Sequence, residues 1–177
     1  MSDVTIRPPF VSVCLIALIV VTAILVPTSL RAQEAQTPAI IKTNQLESFL
    51  GDQSHLVIQS HSGNHAFAIE LADNDETRAK GLMYRTKMGP NTGMLFDFGR
   101  LQPIYMWMKN TYVSLDMLFV LEDGTIHHLV KATTPLSQSI IGSGGSVRYV
   151  LEVKKGTVDR TGVKPGDKLL HQLFTPK

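Results

Sequence analysis

The sequence predicts a mainly β fold, a sandwich or barrel-like sheet with one or two short helices in a single compact domain. Three observations carry this. Short segments rich in β-branched and aromatic residues recur between Gly, Pro, Asn and Asp turn signals. A helical period is clear only once. A chain of 177 residues with 44% hydrophobic and 18% charged residues is long enough for one sizeable core and too short for two ordinary domains.

Taken in order, residues 33–54 are Gln- and Thr-rich with Pro38 and read as a flexible tether that becomes ordered after Leu46, with the domain spanning 55–174. "HLVIQS" and "HAFAIELA" read as two strands around a Gly63-Asn64 turn. In "DNDETRAKGLMYR", Asp73 and Glu76 have the spacing of a capping box. Ala79, Leu82 and Met83 add an apolar stripe, predicting a helix over 75–84. "GMLFDF", "PIYMWMKN", "LDMLFVLE" and "TIHHLVKAT" read as four strands, with Glu122-Asp123-Gly124 as the turn before the last. "SQSIIGSGGS" reads as a loop leading into the strand "VRYVLEVK". A helical turn over 156–161 ended by Gly162, a Pro165-Gly166 turn and a last strand, "KLLHQLF", follow.

The N-terminus joins a polar stretch carrying Arg7 to an apolar run of 17 residues, Phe10 to Val26, and then to Pro27 and Ala32. This is a secretory signal pattern over residues 1–32, with cleavage before Gln33; retained, residues 10–26 would instead anchor the chain. The expected location is extracytoplasmic. The sole cysteine, Cys14, lies inside the apolar run, so the mature domain has no thiol nucleophile, thiolate ligand or disulfide. Without residues 1–32 the chain carries fifteen basic and fourteen acidic residues with no basic block, and a nucleic-acid partner is not expected.

"MWMKNTYVSLDMLFV", residues 106–120, sets a tryptophan, a lysine and an aspartate in an otherwise apolar run. Strand alternation puts Trp107 and Lys109 on one face. If residues 111–114 form a short hairpin loop, paired positions sum to 225 and Lys109 lies opposite Asp116, on a face made apolar by Trp107 and Leu118. Such a pair serves equally as a structural ion pair or as part of a pocket. Met106 and Met108 raise Cu(I) binding through thioethers, but same-face methionines in a strand usually fill core. His127 and His128 point to opposite faces, and no metal site is expected.

Five stretches, "RAKGLMYR", "GMLFDF", "MWMKNTYVSLDMLFV", "DGTIHHL" and "RYVLEVKKGTVDRTGVKPGDKL", occur in an order that resembles the domain of unknown function 192 family, over roughly residues 55–174. The resemblance implies a compact, mostly β domain, often behind a signal peptide, with no established reaction. Its hallmark positions fall on Gly81, Met83, Arg85, Gly93, Met94, Phe96, Trp107, Met108, Lys109, Asn110, Thr111, Asp116, Glu152, Gly156 and Gly166.

No nucleophile elbow, zinc-protease motif, P-loop or dinucleotide fingerprint occurs. "IGSGGS" offers amides for an anion but lacks the Lys-Ser/Thr of nucleotide loops. The expected role is therefore binding of a small polar or anionic molecule without cofactor or metal. Trp107 would be the apolar wall, Lys109 and Arg85 cationic donors, Asn110 a polar contact, and Asp116 the group that holds Lys109. Arg78, seven residues before Arg85 on the helix, would add positive charge. Two alternatives are a hydrolase-type enzyme using Asp116 or Glu152, paired if the fold brings them together, and a structural or partner-binding module of the cell envelope.

Overall fold

The computed structural model describes residues 40–42 and 45–174. The expected signal segment, the cleavage point and the first part of the expected tether lie outside the described residues. Ordered structure precedes His55: Ile40 pairs with His65, and a helix, α1, spans Leu46–Leu50.

Seven strands follow: β1 (His55–Ser60), β2 (Gly63–Ala72), β3 (Thr92–Met106), β4 (Leu115–Val120), β5 (Ile126–Val130), β6 (Ile141–Lys154) and β7 (Lys168–Leu170). They form one mainly antiparallel sheet in the order β5-β4-β6-β3-β2-β1-β7, with β2 and β3 parallel. The sheet curls until its two ends meet. Thr125, just before β5, bridges Lys168 of β7, and the Leu169 N–H donates to the Gly124 carbonyl at 2.8 Å. The result is a mainly β half-barrel.

Alternation builds two cores on this sheet. Leu95, Leu151 and Leu118 form one cross-strand row, joined inside the curl by Leu56, Ile58, Phe67, Ile69, Tyr149 and Leu169. Phe96, Val150 and Phe119 form a row on the opposite face, where Ile104, Met108 and Leu82 cover them. All six residues of β4 are therefore buried, which is why that strand reads as an apolar run broken only by Asp116.

Gly124 sits where the sheet ends meet, at φ +81°, and a Cβ there would lie 2.5 Å from the Leu169 carbonyl oxygen. Gly124→Ala is expected to cost about 2 kcal/mol or more in urea denaturation, because it adds a left-handed backbone penalty to a clash that must separate the edges. A loss below about 0.5 kcal/mol, the range of an unremarkable surface change, would show that this contact does not hold the curl closed.

Several local expectations change. The β1–β2 turn is His61-Ser62, because Ser60 pairs with Gly63. Helix α2 is shorter than expected, Asp75–Lys80, and its cap is Asn74: the Asn74 side chain accepts from the Thr77 N–H at 2.9 Å while the Thr77 hydroxyl accepts from the Asn74 N–H at 3.2 Å. The capping-box logic applies one residue later than the Asp73/Glu76 spacing suggests. "GMLFDF" and "PIYM" are one strand, β3, with irregular register between Asp97 and Gln102. "IGSGGS" is strand, not loop, so it offers no amide nest. Ser143, buried within it, accepts from the Ile104 N–H at 3.0 Å and donates to the Gly145 carbonyl at 2.5 Å, so its hydroxyl stands in for ladder bonds where the strand is irregular. The helical turn after β6 is α3 (Thr157–Thr161), ended by Gly162 at φ +62°.

The 225 register is overturned. β3 ends at Met106, and β6 lies between β3 and β4, so Lys109 and Asp116 are not cross-strand neighbours. Residues 107–114 cross outside the sheet instead. They are held by Met108 N–H to the Ser137 carbonyl at 2.9 Å and by Leu136 N–H to the Thr111 carbonyl at 3.0 Å. Leu118 does not share a face with Trp107: it is fully buried in the inner core, while Trp107 is 45% exposed.

Candidate functional site

On the outer face of the sheet, Glu152 of β6 lies between Met94 of β3 and Met117 of β4 in a single cross-strand row. Two irregular segments rise beside this row. One follows α2 and begins at Gly81, whose φ of +46° turns the chain and whose missing Cβ lets Phe96 approach: a Cβ would lie 3.2 Å from its ring. The other is the extension of β3 through Trp107 and Lys109. Between them opens a cavity of about 240 Å³, lined by Arg78, Lys80, Met83, Phe96, Phe98, Tyr105, Met106, Trp107, Lys109, Thr111 and Glu152, among others.

Glu152 is 4% exposed. Its side chain forms no hydrogen bond or ion pair among the described residues. Burial pushes its carboxyl up to about 8, since no hydrogen-bond partner or ion pair among the described residues offsets the cost of ionising it in apolar surroundings. It is therefore a neutral acid near pH 7, able to donate one hydrogen bond and accept others.

The cations stand at the rim. Lys109 Nζ lies 5.1 Å from the centre of the Trp107 ring. Arg78 is committed: it donates to the Asp97 carbonyl at 2.7 Å, pairs with Asp75 and lies over Phe98 at 5.7 Å. Lys80 and Lys109 make no ion pair among the described residues. Among the described residues no carboxyl group except Glu152 lines the cavity, so its mouth carries a positive field.

The five residues expected to form the site separate. Trp107 and Lys109 come together at the cavity. Asn110 is beside them but faces the other segment. Its amide donates to the Tyr84 hydroxyl at 3.0 Å and its carbonyl accepts the Tyr84 N–H at 2.8 Å. Both residues hold positive φ, +56° for Asn110 and +65° for Tyr84, so this reciprocal clip joins two strained points and fixes the spacing of the cavity walls. Arg85 does not line the cavity; it pairs with Glu70.

Asp116 is not at the site and does not hold Lys109. It lies in the row Gly93, Val153, Asp116 on the inner face, one position out of step with Glu152 on the neighbouring strand. Its two oxygens accept the Ala132 N–H and the Val158 N–H, each at 2.9 Å. Asp116 and Glu152 thus project from opposite faces and form no carboxylate pair. Both Asp116 oxygens being occupied, the hydrolase alternative loses that residue, and Glu152 has neither a second carboxyl nor a histidine in the cavity to act with. Among the described residues, no three His, Cys, Asp or Glu side chains are grouped as a metal would need.

Lys80, Met83, Phe98 and Tyr105 were not foreseen as lining residues. The one local signal for the cavity floor was Glu152 itself, a lone carboxylate between Leu151 and Val153 in a strand otherwise apolar from Val147 apart from Arg148.

The family match runs over residues 57–171, to the DUF192 family, described as "Uncharacterized ACR". The chain belongs to this family. No curated protein matches it. Two solved structures resemble it, each with a TM-score of 0.64. One, from Sinorhizobium meliloti 1021 and described as a "putative transcription regulator", is 50% identical, with 66% of this chain and 91% of that chain covered. The other, a protein of unknown function from Novosphingobium aromaticivorans DSM 12444, is 34% identical over 66% of this chain and 83% of its own. The DUF192 match includes every residue named above as lining the cavity, from Arg78 to Glu152.

Proposed function

We propose that this DUF192 domain binds a small polar or anionic molecule in the Glu152 cavity, and that it does so outside the cytoplasm. The observation that carries the reading is Glu152: a buried carboxyl without a partner, opening onto a cavity. A buried polar group with no hydrogen bond costs stability, and in native proteins it usually marks a place where something else completes the bonding. The cavity is smaller than drug-sized pockets, which suits a small metabolite. Its aromatic and thioether walls with few polar groups match the general make-up of ligand sites. Lys80 and Lys109 at the mouth favour an anion over a cation. The signal-like segment before Gln33 supports the location.

The name given to the Sinorhizobium relative raises gene regulation as a second role. Near-balanced charge without a basic block speaks against DNA contact by this domain. The aromatic residues near the cavity would also suit a protein partner, but a concave site with a buried acid favours a small ligand over a flat docking surface.

A thermal-shift screen of sugars, phosphates and carboxylates tests the reading. A true ligand at a hundred times its Kd stabilises the wild type by about 2.7 kcal/mol. Glu152→Leu fills the floor with an apolar side chain and is expected to remain folded while losing that response. If wild type and variant respond identically to every compound, the cavity is not the site.

A further inference from the structure

We propose that Glu152 is a proton-bearing anchor. Its neutral carboxyl donates a hydrogen bond to an acceptor oxygen at the inner end of a small organic anion whose charged group stays at the rim with Lys80 and Lys109, so the site empties when Glu152 ionises. This rests on the pocket reading above and adds the ligand's chemistry and its control by pH.

The geometry sets each part. The charged and titratable residues that line the cavity with Glu152 are few: Arg78 and Lys80 from α2, Lys109 from the segment after β3, and Tyr105 from β3. β4 contributes Met117 and no charge. Arg78 is spent on Asp75 and Asp97. Burial raises the Glu152 carboxyl, and none of these cations forms an ion pair with it among the described residues. The inner end of a ligand therefore meets a neutral O–H donor between two methionines, which selects a ketone, ester, amide or hydroxyl oxygen. A carboxylate or phosphate driven to the same depth would be as poorly solvated there as ionised Glu152 is, whereas at the rim two free lysines receive it. Met83, Met106, Phe96 and Phe98 supply the apolar part of the lining, so the rest of the ligand is apolar. An ammonium compound would have to pass the rim cations first.

Ionised Glu152 has no proton to give and repels an acceptor oxygen. Binding above the crossover must then take up a proton, and affinity falls about tenfold for each further pH unit.

Three matched probes separate the ends: levulinate, with a carboxylate and a ketone; valerate, which lacks the ketone; and 2-pentanone, which lacks the carboxylate. Isothermal calorimetry on the wild type from about pH 6 to about pH 9, in two buffers of different ionisation heat, measures affinity and proton uptake together. Levulinate is expected to bind best. Its affinity should be level at the acid end and fall above about pH 8, with close to one proton taken up per ligand at the alkaline end. Glu152→Gln, which keeps a donor that cannot ionise, should bind levulinate with no pH dependence in this range. Lys80→Ala with Lys109→Ala should weaken levulinate towards 2-pentanone without moving the pH midpoint.

Flat affinity, absent proton uptake, or equal binding of levulinate and valerate overturns the inference while leaving the pocket reading intact. No binding of levulinate or of glucuronate, a bulkier hydroxylated acid, at the acid end also overturns it. Whether the pocket reading falls too is decided separately by the broad screen on wild type and Glu152→Leu.

Discussion

Glu152→Gln is expected to stabilise the unliganded domain at alkaline pH by up to about 5 kcal/mol, and to leave it nearly unchanged at acid pH. The carboxyl titrates near its ordinary 4.5 in the unfolded chain and at about 8 in the folded one. Between these values the native state holds a proton that the unfolded state has lost, so raising the pH through this window destabilises the native state. Below the window both states hold the proton, and above it neither does. Gln never ionises and escapes the loss. Water entering the cavity eases the charged form, which makes the figure an upper bound. Urea denaturation of both proteins across this window measures the difference. His65 and His171, whose pKa values burial lowers, contribute with the opposite sign in both proteins and cancel on subtraction. A difference constant with pH would mean Glu152 is not buried in its acid form.

This property of Glu152 could not be read from its strand alone. "VRYVLEVK" predicts a strand, and alternation puts Glu152 on the face of Val150, yet nothing local says that both strand neighbours present methionine there. Local signals served well where the cause is local: the apolar segments of β1, β2, β4 and β5, the Asp123-Gly124 turn and the Gly162 helix stop all depend on a few adjacent residues. Pairing order did not follow from adjacency. Consecutive strands are usually neighbours, and the 225 register assumed it, but Tyr112-Val113 lacks the residues of a tight hairpin turn and β6 takes the place beside β4. Composition misled at "IGSGGS" because a Ser hydroxyl can replace ladder bonds that a Gly-rich sequence seems unable to sustain. At the cavity, Trp107 and Lys109 were legible as misfits in an apolar run, while Lys80 reaches it from the end of α2, in the crossover from β2 to β3.

Asp116 was the other misfit, and the structure gives it a different duty with a large expected effect. Its carboxylate is 1% exposed and accepts two backbone N–H groups that no other group satisfies: that of Ala132, at φ +54°, and that of Val158 in the first turn of α3. Val158 in turn packs in the inner core. Asp116→Ala strands the buried Val158 donor at about 1–3 kcal/mol and removes the part-buried bond to the Ala132 N–H at about 1 kcal/mol, so a loss of roughly 2–4 kcal/mol is expected in chemical denaturation. Asp116→Asn, which keeps one acceptor oxygen, should lose about half as much. Lys109 is exposed and reaches Trp107 rather than Asp116, so Lys109→Met should stay within about 0.5 kcal/mol of wild type. The double variant should equal the sum of the singles, because the two side chains share no partner. A buried ion pair would behave oppositely: either single change would be severe and the double would recover much of it. A coupling above about 1 kcal/mol in this cycle would therefore restore the direct Lys109–Asp116 pair and refute the strand order that separates them.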